Sequence, residues 1–171
     1  MQMVKNTAIS LFVLWLALLV FMPKKDLYFS LEQVLAKQSI VMNETSIDEG
    51  VFSLTIKGAT VYFKGIEVAR IEEINFFTLL FYTKLQLKNL VMDAALSGLA
   101  PEKTDEVLAS HSFLSPLKVN IQAVGDFGLA EGAADLSGRT VHMDFMEAKD
   151  IAAIKGLLKK DEKGWYYETS F

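Results

Sequence analysis

Hydrophobic and polar positions change rhythm along this chain. Residues 7–22, TAISLFVLWLALLVFM, are 16 residues without a charge, bounded by Lys5 on one side and Pro23-Lys24-Lys25 on the other. Past them, Leu31, Val34 and Leu35 fall on one helical face behind Ser30-Leu31-Glu32-Gln33. That is the pattern of a capping box, and it predicts a short helix over 31–37 near the membrane surface. From Gly50 the period becomes two. Phe52, Leu54 and Ile56 alternate with Ser53, Thr55 and Lys57, and after Gly58 Val61 and Phe63 alternate with Tyr62 and Lys64. Two strands are predicted, the second turning through Lys64-Gly65 into a third that carries Ile66, Val68 and Arg70. Alternation slips by one near Ile71, so Glu72-Glu73 marks a bulge or the start of a new strand.

Residues 74–82, INFFTLLFY, are nearly all apolar and lose the alternation, which requires cover on more than one side. Leu85 and Leu87, between Lys84, Gln86 and Lys88, restore a half-buried strand. The polar stretch 101–106 within 98–116 reads as a connection with one helical turn. Val119, Ile121 and Ala123 then alternate into Gly125, and Val141, Met143 and Phe145 alternate with Thr140, His142 and Asp144. Between them lies GDFGLAEGAADLSGR, suited to antiparallel strands joined by tight turns. Ile151, Ile154, Leu157 and Leu158 predict an amphipathic helix over 150–160, and residues 164–168 a last strand. The expected fold is mainly β: a single N-terminal transmembrane helix, then a curved antiparallel sheet or incomplete sandwich with short peripheral helices.

The apolar run reaches about 24 Å at 1.5 Å per residue, short of a hydrocarbon core of about 30 Å. Snorkelling of Lys5 and Lys24 makes up the difference. A cleaved signal peptide would need small residues where the chain has Val20-Phe21-Met22-Pro23, so the run is expected to stay as an anchor. Residues 1–25 are then a short cytoplasmic tail and transmembrane anchor, and 26–171 a periplasmic mainly-β domain. Lys5 and the amino terminus nearly balance Lys24 and Lys25, and the shortness of the tail is what places the N-terminus in the cytoplasm. A hydrophobic content of 51% and a mean hydropathy of +0.28 agree with a membrane protein. With Lys5, Lys24 and Lys25 set aside, 14 basic residues face 21 acidic ones, a net charge of about −7 that argues against nucleic acid.

Chemistry-bearing residues are sparse. There are two histidines, His111 and His142, and no cysteine, too few soft ligands for a zinc site without carboxylates. Asp126-Phe127-Gly128 spells a kinase magnesium triplet, but the rest of that set is missing, and the triplet reads as a turn. The carboxylate pairs Asp48/Glu49, Glu72/Glu73, Asp105/Glu106 and Asp144/Glu147 sit mostly in polar contexts. Ser97-Gly98 and Ser137-Gly138 lack the flanks of a nucleophile elbow. No catalytic, cofactor-binding or metal-binding residue is expected, and the reading is non-enzymatic. Two apolar features remain. Phe76, Phe77, Leu79, Leu80, Phe81 and Tyr82 are either core or a contact surface for an acyl chain or a partner. Trp165 and Tyr167 lie on a C-terminal strand that, at an edge, would pair with a neighbouring sheet.

The order of these features resembles a known pattern: an N-terminal anchor, Leu27-Tyr28-Phe29-Ser30-Leu31-Glu32, the alternating 54–63 region, and GDFGLAEGAADLSGR with Gly125, Gly128, Gly132, Asp135 and Leu136. It is similar to protein N of the bacterial type II secretion system and, more distantly, to AsmA-like β proteins of the cell envelope. The resemblance implies a non-enzymatic, single-pass inner-membrane protein facing the periplasm, with envelope protein partners, as an accessory component of a secretion assembly. The alternative it implies is lipid binding or transfer, as in AsmA-like proteins or single-anchor lipopolysaccharide carriers. No site residues transfer with it.

Overall fold

The computed structural model describes residues 2–21, 23–79, 81–96, 100–152, 154–162 and 164–171, without the side chains at 2, 3, 8, 18, 19, 21 and 95. Two helices lead, α1 (Gln2–Phe21) and α2 (Lys24–Lys37). Among the described residues eleven strands follow: β1 (Ile40–Asn43), β2 (Ser46–Glu49), β3 (Ser53–Phe63), β4 (Ile66–Leu79), β5 (Tyr82–Met92), β6 (Lys103–Ser112), β7 (Lys118–Gly125), β8 (Gly128–Asp135), β9 (Thr140–Phe145), β10 (Lys159–Lys160) and β11 (Trp165–Ser170). All belong to one antiparallel sheet, ordered β1-β3-β4-β5-β6-β7-β8-β9-β11-β10, with β2 beside β1 along the same edge of β3. The chain is thus mainly β, nearly every strand lying beside its neighbour in sequence.

Pairing places the apolar residues of successive strands side by side. Leu54, Phe76, Leu85, Ala109, Ile121, Gly132, Met143 and Tyr167 form one cross-strand row. Ile56, Ile74, Leu87, Val107, Ala123, Ala130, Phe145 and Trp165 form the next. The other face carries polar rows, among them Thr55-Asn75-Gln86 and Lys57-Glu73-Lys88-Glu106. Thr55 Oγ1 donates to Asn75 Oδ1 at 2.9 Å and Lys88 Nζ meets Glu73 Oε1 at 2.7 Å.

Strands of 10 to 14 residues cannot keep a simple period-two pattern and a single apolar face when their sequence slips. Here the slip is shared. Gly58, Glu72, Asn89 and Asp105 fall in one register line across β3 to β6. Gly58 and Asn89 have φ of 62° and 49°, and the Asn89 amide is hydrogen-bonded to Glu72. At this line inward positions jump by three, from Ile56 to Ala59, Ile71 to Ile74 and Leu87 to Leu90, so the apolar side stays on one face. Between β6 and β7 the line ends as a register shift at Asp105. Gly58 therefore kinks one continuous strand where two were expected, and the slip near Ile71 is the same kink seen from β4.

Two covers lie on the apolar face. At one edge α2 places Tyr28 against Leu54, Ile56, Ala59 and Ile71. Its first turn is fixed by Glu49, whose carboxylate accepts from the Lys24 backbone N–H at 2.9 Å, a favourable charge at a helix N-terminus. Because α2 starts right after Pro23, Ser30 is mid-helix; its hydroxyl donates back to the Asp26 carbonyl at 2.7 Å, and the expected capping box does not form. Tyr28 Oη donates to Glu44 Oε2 at 3.2 Å. Burial, then Glu32 and Glu44, push the Tyr28 hydroxyl well above its ordinary value. Burial, then the charge of Glu44, also raise Glu32.

The second cover is a strap, whose described residues are 146–152 and 154–158. It leaves β9 and follows the β7–β8 hairpin tip by backbone bonds from Met146 N to Leu129 O (2.9 Å), Lys149 N to Phe127 O (3.0 Å) and Asp150 N to Asp126 O (3.3 Å). Tied in this way, it forms a single 3-10 turn, Lys155–Leu157, instead of the expected amphipathic helix, and Ile154 still reaches Phe127 and Ala130. Phe127 folds back from the hairpin tip and meets Phe145 edge-on, centroids 5.8 Å apart. The strap passes so close to Gly128, φ 92°, that a Cβ there would stand 1.7 Å from the Glu147 carbonyl oxygen. The expected polar connection at 101–106 is largely β6, whose charged residues point to the outer face or into the bulge.

Two measurements follow from these covers. Gly128→Ala must displace the strap and accept a left-handed backbone, and is expected to cost about 2 kcal/mol, lowering the thermal midpoint by roughly 4–8 °C. Glu32 is raised in the folded state, so folding holds its proton more tightly and stability falls as pH rises through the interval above the ordinary glutamate value, about 4.3. Glu32→Gln is expected to unfold at a higher temperature than wild type at pH 7 and at the same temperature at pH 4, read by circular dichroism melts.

Candidate functional site

Between the sheet and the strap lies an apolar cavity of about 270 Å³. Its floor comes from four adjacent strands: Val107 on β6, Ala123 on β7, Ala130 on β8, and Met143 and Phe145 on β9. Ile154, Leu157 and Leu158 roof it, Ala100 and Pro101 close one end, and Tyr167 of β11 stands at its side. The space exists because Ala123 and Ala130 are direct cross-strand partners, so two neighbouring strands offer only methyl groups where their flanks carry Val107 and Phe145. Thr104 and Tyr167 bring the hydroxyls of an otherwise hydrocarbon lining. A lining of this kind interacts with an apolar group by excluding it from water.

From the cavity the apolar face continues toward the middle of the sheet with thinner cover. Leu85, between the two covers, is 37% exposed, and no large side chain among the described residues is fully buried. The whole chain exposes 11314 Å², where a compact monomer of its mass would expose about 8,400 Å². A single-layer sheet with two partial covers accounts for this excess together with α1, whose Ile9, Leu11, Phe12, Val13 and Leu14 are all exposed.

The opposite face has a wider trough of about 780 Å³ over β6 to β9, with Lys118, Asn120, Gln122, Glu131, His142 and Asp144 along it. His142 Nε2 lies 3.1 Å from Asp144 Oδ1 and its ring stacks on Tyr166 at 5.2 Å, while Gln122 donates to Glu131 at 3.2 Å. These groups pair along or between strands in solvent, where such contacts contribute little. Among the described residues no three His, Cys, Asp or Glu come together as a metal site.

The six residues of the 76–82 stretch are not one surface. Phe76 faces the apolar side and packs at the edge of the Tyr28 cluster, whereas Phe77 is on the polar face, paired with Ser53 and Lys84. Leu79 and Tyr82 close the β4–β5 hairpin and are exposed, and Leu80 lies outside the described residues. Phe81, at the turn, stacks on Trp15 with centroids 5.3 Å apart. Trp165 and Tyr167 share the apolar face. β10 pairs with Trp165 and Tyr166, and among the described residues no strand pairs with Tyr167–Ser170 on that side. Of the residues that line the cavity only Tyr167 is a candidate contact residue from sequence; Ala123 and Ile154 read as strand and helix positions and Ala130 carries no signal, because only the register brings the two alanines together.

Among the described residues no helix is long and apolar enough to cross a membrane, and the apolar side chains of Ala8, Leu18, Leu19 and Phe21 are not among those residues. No protein-family model, curated protein or solved structure matches the chain.

Proposed function

We propose that this chain is a non-enzymatic β protein of the bacterial cell envelope, anchored in the inner membrane by α1 with its sheet in the periplasm, and that the sheet holds the hydrocarbon tail of a lipid. The observation that carries this reading is the 270 Å³ apolar cavity under the strap, continuous with an apolar face that the fold leaves half-covered. Its volume lies just below the range of drug-sized pockets and takes the end segment of an acyl chain, the rest lying along the half-covered face. Support for the anchor comes from α1, whose Ile9, Leu11, Phe12, Val13 and Leu14 are exposed and distributed around the helix, an apolar surface that lipid or a partner would cover.

A second reading, an accessory component of a type II-like secretion assembly, is favoured by the edge of β11 to which, past β10, no strand pairs among the described residues. Tyr167–Ser170 present backbone groups to which another protein's strand would add.

Photo-crosslinking of the full-length protein in nanodiscs with a diazirine-bearing palmitate separates these readings. Adducts are expected on Val107, Met143 or Tyr167, and Ala123→Phe, which fills the floor, is expected to reduce them about tenfold, a change of about 1.4 kcal/mol. Adducts confined to α1, unchanged in Ala123→Phe, would sink the lipid reading and leave the β11 edge as the better guide.

A further inference from the structure

The two ends of the sheet differ in chemistry. At one end are the loop 50–52, the β4–β5 turn, the loop 113–117, the β8–β9 turn 136–139 and the C-terminal Phe171. Their tips are apolar and exposed: Val51, Phe81, Phe113, Leu114, Leu117, Leu136 and Phe171, with Leu114 90% and Phe113 66% accessible. At the other end charges intervene, with Lys64 in the β3–β4 turn, Asp126 in the β7–β8 turn, and Lys149, Asp150, Asp161 and Glu162 in the strap and the β10–β11 connection.

The apolar tips are joined into one rim. Phe113 N donates to Phe81 O at 2.8 Å, Leu136 N to Leu117 O at 2.8 Å, and Phe171 N to Arg139 O at 3.0 Å. In the β8–β9 turn Asp135 Oδ1 accepts from the Ser137 and Gly138 N–H groups at 2.8 and 2.9 Å. A rim of hydrogen-bonded turns with protruding Phe and Leu is fit to enter hydrocarbon, where unpaired backbone groups would be prohibitive. Exposed apolar patches of this kind mark membrane or protein contacts.

The occupant is indicated by α1. Trp15 stacks on Phe81, Phe81 lies 5.6 Å from Phe113, and Phe12 lies 6.1 Å from Trp15, so a line of rings passes from the helix into the rim. The medium that covers α1 around Trp15 must also meet the rim. Lys118 and Arg139 follow directly behind the apolar tips, exposed, where cations meet anionic headgroups. We infer that this rim, built from the turns bearing Phe81, Phe113, Leu114 and Leu136, inserts into the leaflet beside α1 and is a second membrane contact that holds the sheet end-on to the bilayer.

The inference shares its membrane with the proposed anchor, and one experiment separates the two. The chain has no cysteine, so Leu11→Cys, Leu114→Cys and Lys64→Cys each accept a single environment-sensitive fluorophore. The full-length variants are reconstituted in phosphatidylcholine vesicles with a minor fraction of phosphatidylglycerol, and quenching by lipids with a nitroxide on the acyl chain is read. The Leu114 probe is expected to lose fluorescence as the Leu11 probe does, and the Lys64 probe to keep it. Quenching at 11 without quenching at 114 overturns the rim and leaves the anchor. Quenching at 114 without 11 keeps the rim and removes the anchor, and quenching at neither removes both. A probe at 114 that is dark to the nitroxide but self-quenches between labels means a second copy covers the rim, which also overturns the inference.

Discussion

A single antiparallel sheet satisfies its backbone strand by strand but cannot bury its own apolar side chains. Alternation puts the row from Leu54 to Tyr167 and the row from Ile56 to Trp165 on one face, and no second sheet among the described residues packs on it. Everything else on that face is a partial answer to the exposure. α2 covers the β3–β4 edge through Tyr28, and the strap covers the β7–β9 region through Ile154. Between them the ladders hold the sheet while its apolar surface stays available, and the cavity lies under the strap, where small floor residues leave a gap.

The shared kink makes this one-sidedness possible over strands as long as β4. Without the coordinated line Gly58-Glu72-Asn89-Asp105, Ala59, Ile71 and Leu90 would face the polar side, and α2 would keep Leu54 and Ile56 but lose the rest of its apolar bed. Its cost is low: a glycine and an asparagine adopt positive φ with little penalty, and Glu72 binds the Asn89 amide across the line. Ion pairs on the outer face, such as Lys57–Asp48 at 3.5 Å and Lys159–Glu168 at 3.0 Å, are exposed and add little.

Much of this architecture was legible where alternation was clean. Residues 53–57, 85–88, 119–124 and 141–145 showed their strands, and the slip near Ile71 showed the kink without its partners on β3, β5 and β6. The misses have specific causes. β6 opens with Lys103-Thr104-Asp105-Glu106, where a bulge and an outward charge look like a loop. The strap has helical spacing at Ile151, Ile154 and Leu158, but bonds to the β7–β8 tip decide its backbone. Phe76 and Phe77 seemed one surface because β4 there carries aromatic groups on both faces. The cavity was invisible, since neither Ala123 nor Ala130 is notable until register joins them.

Cavity and rim stand at different ends of the same face, and the strand between them connects the two. From Val119, just above the rim, to Ala123 in the cavity floor is four residues of β7, about 13 Å at 3.3 Å per residue. The positions along this path are apolar or small: Ile121 and its cross-strand partners Ala109 and Gly132. The polar residues bordering it near the rim are occupied locally, with Thr78 and Thr83 hydroxyls 3.2 Å apart and His111 Nε2 3.1 Å from the Pro116 carbonyl oxygen. On the proposed lipid reading, a hydrocarbon tail passing from the rim to the cavity would meet Thr78, Thr83 and His111 already engaged with local partners. If that proposal holds, the single layer has a physical rationale, because a second layer that buried the face would also close the route.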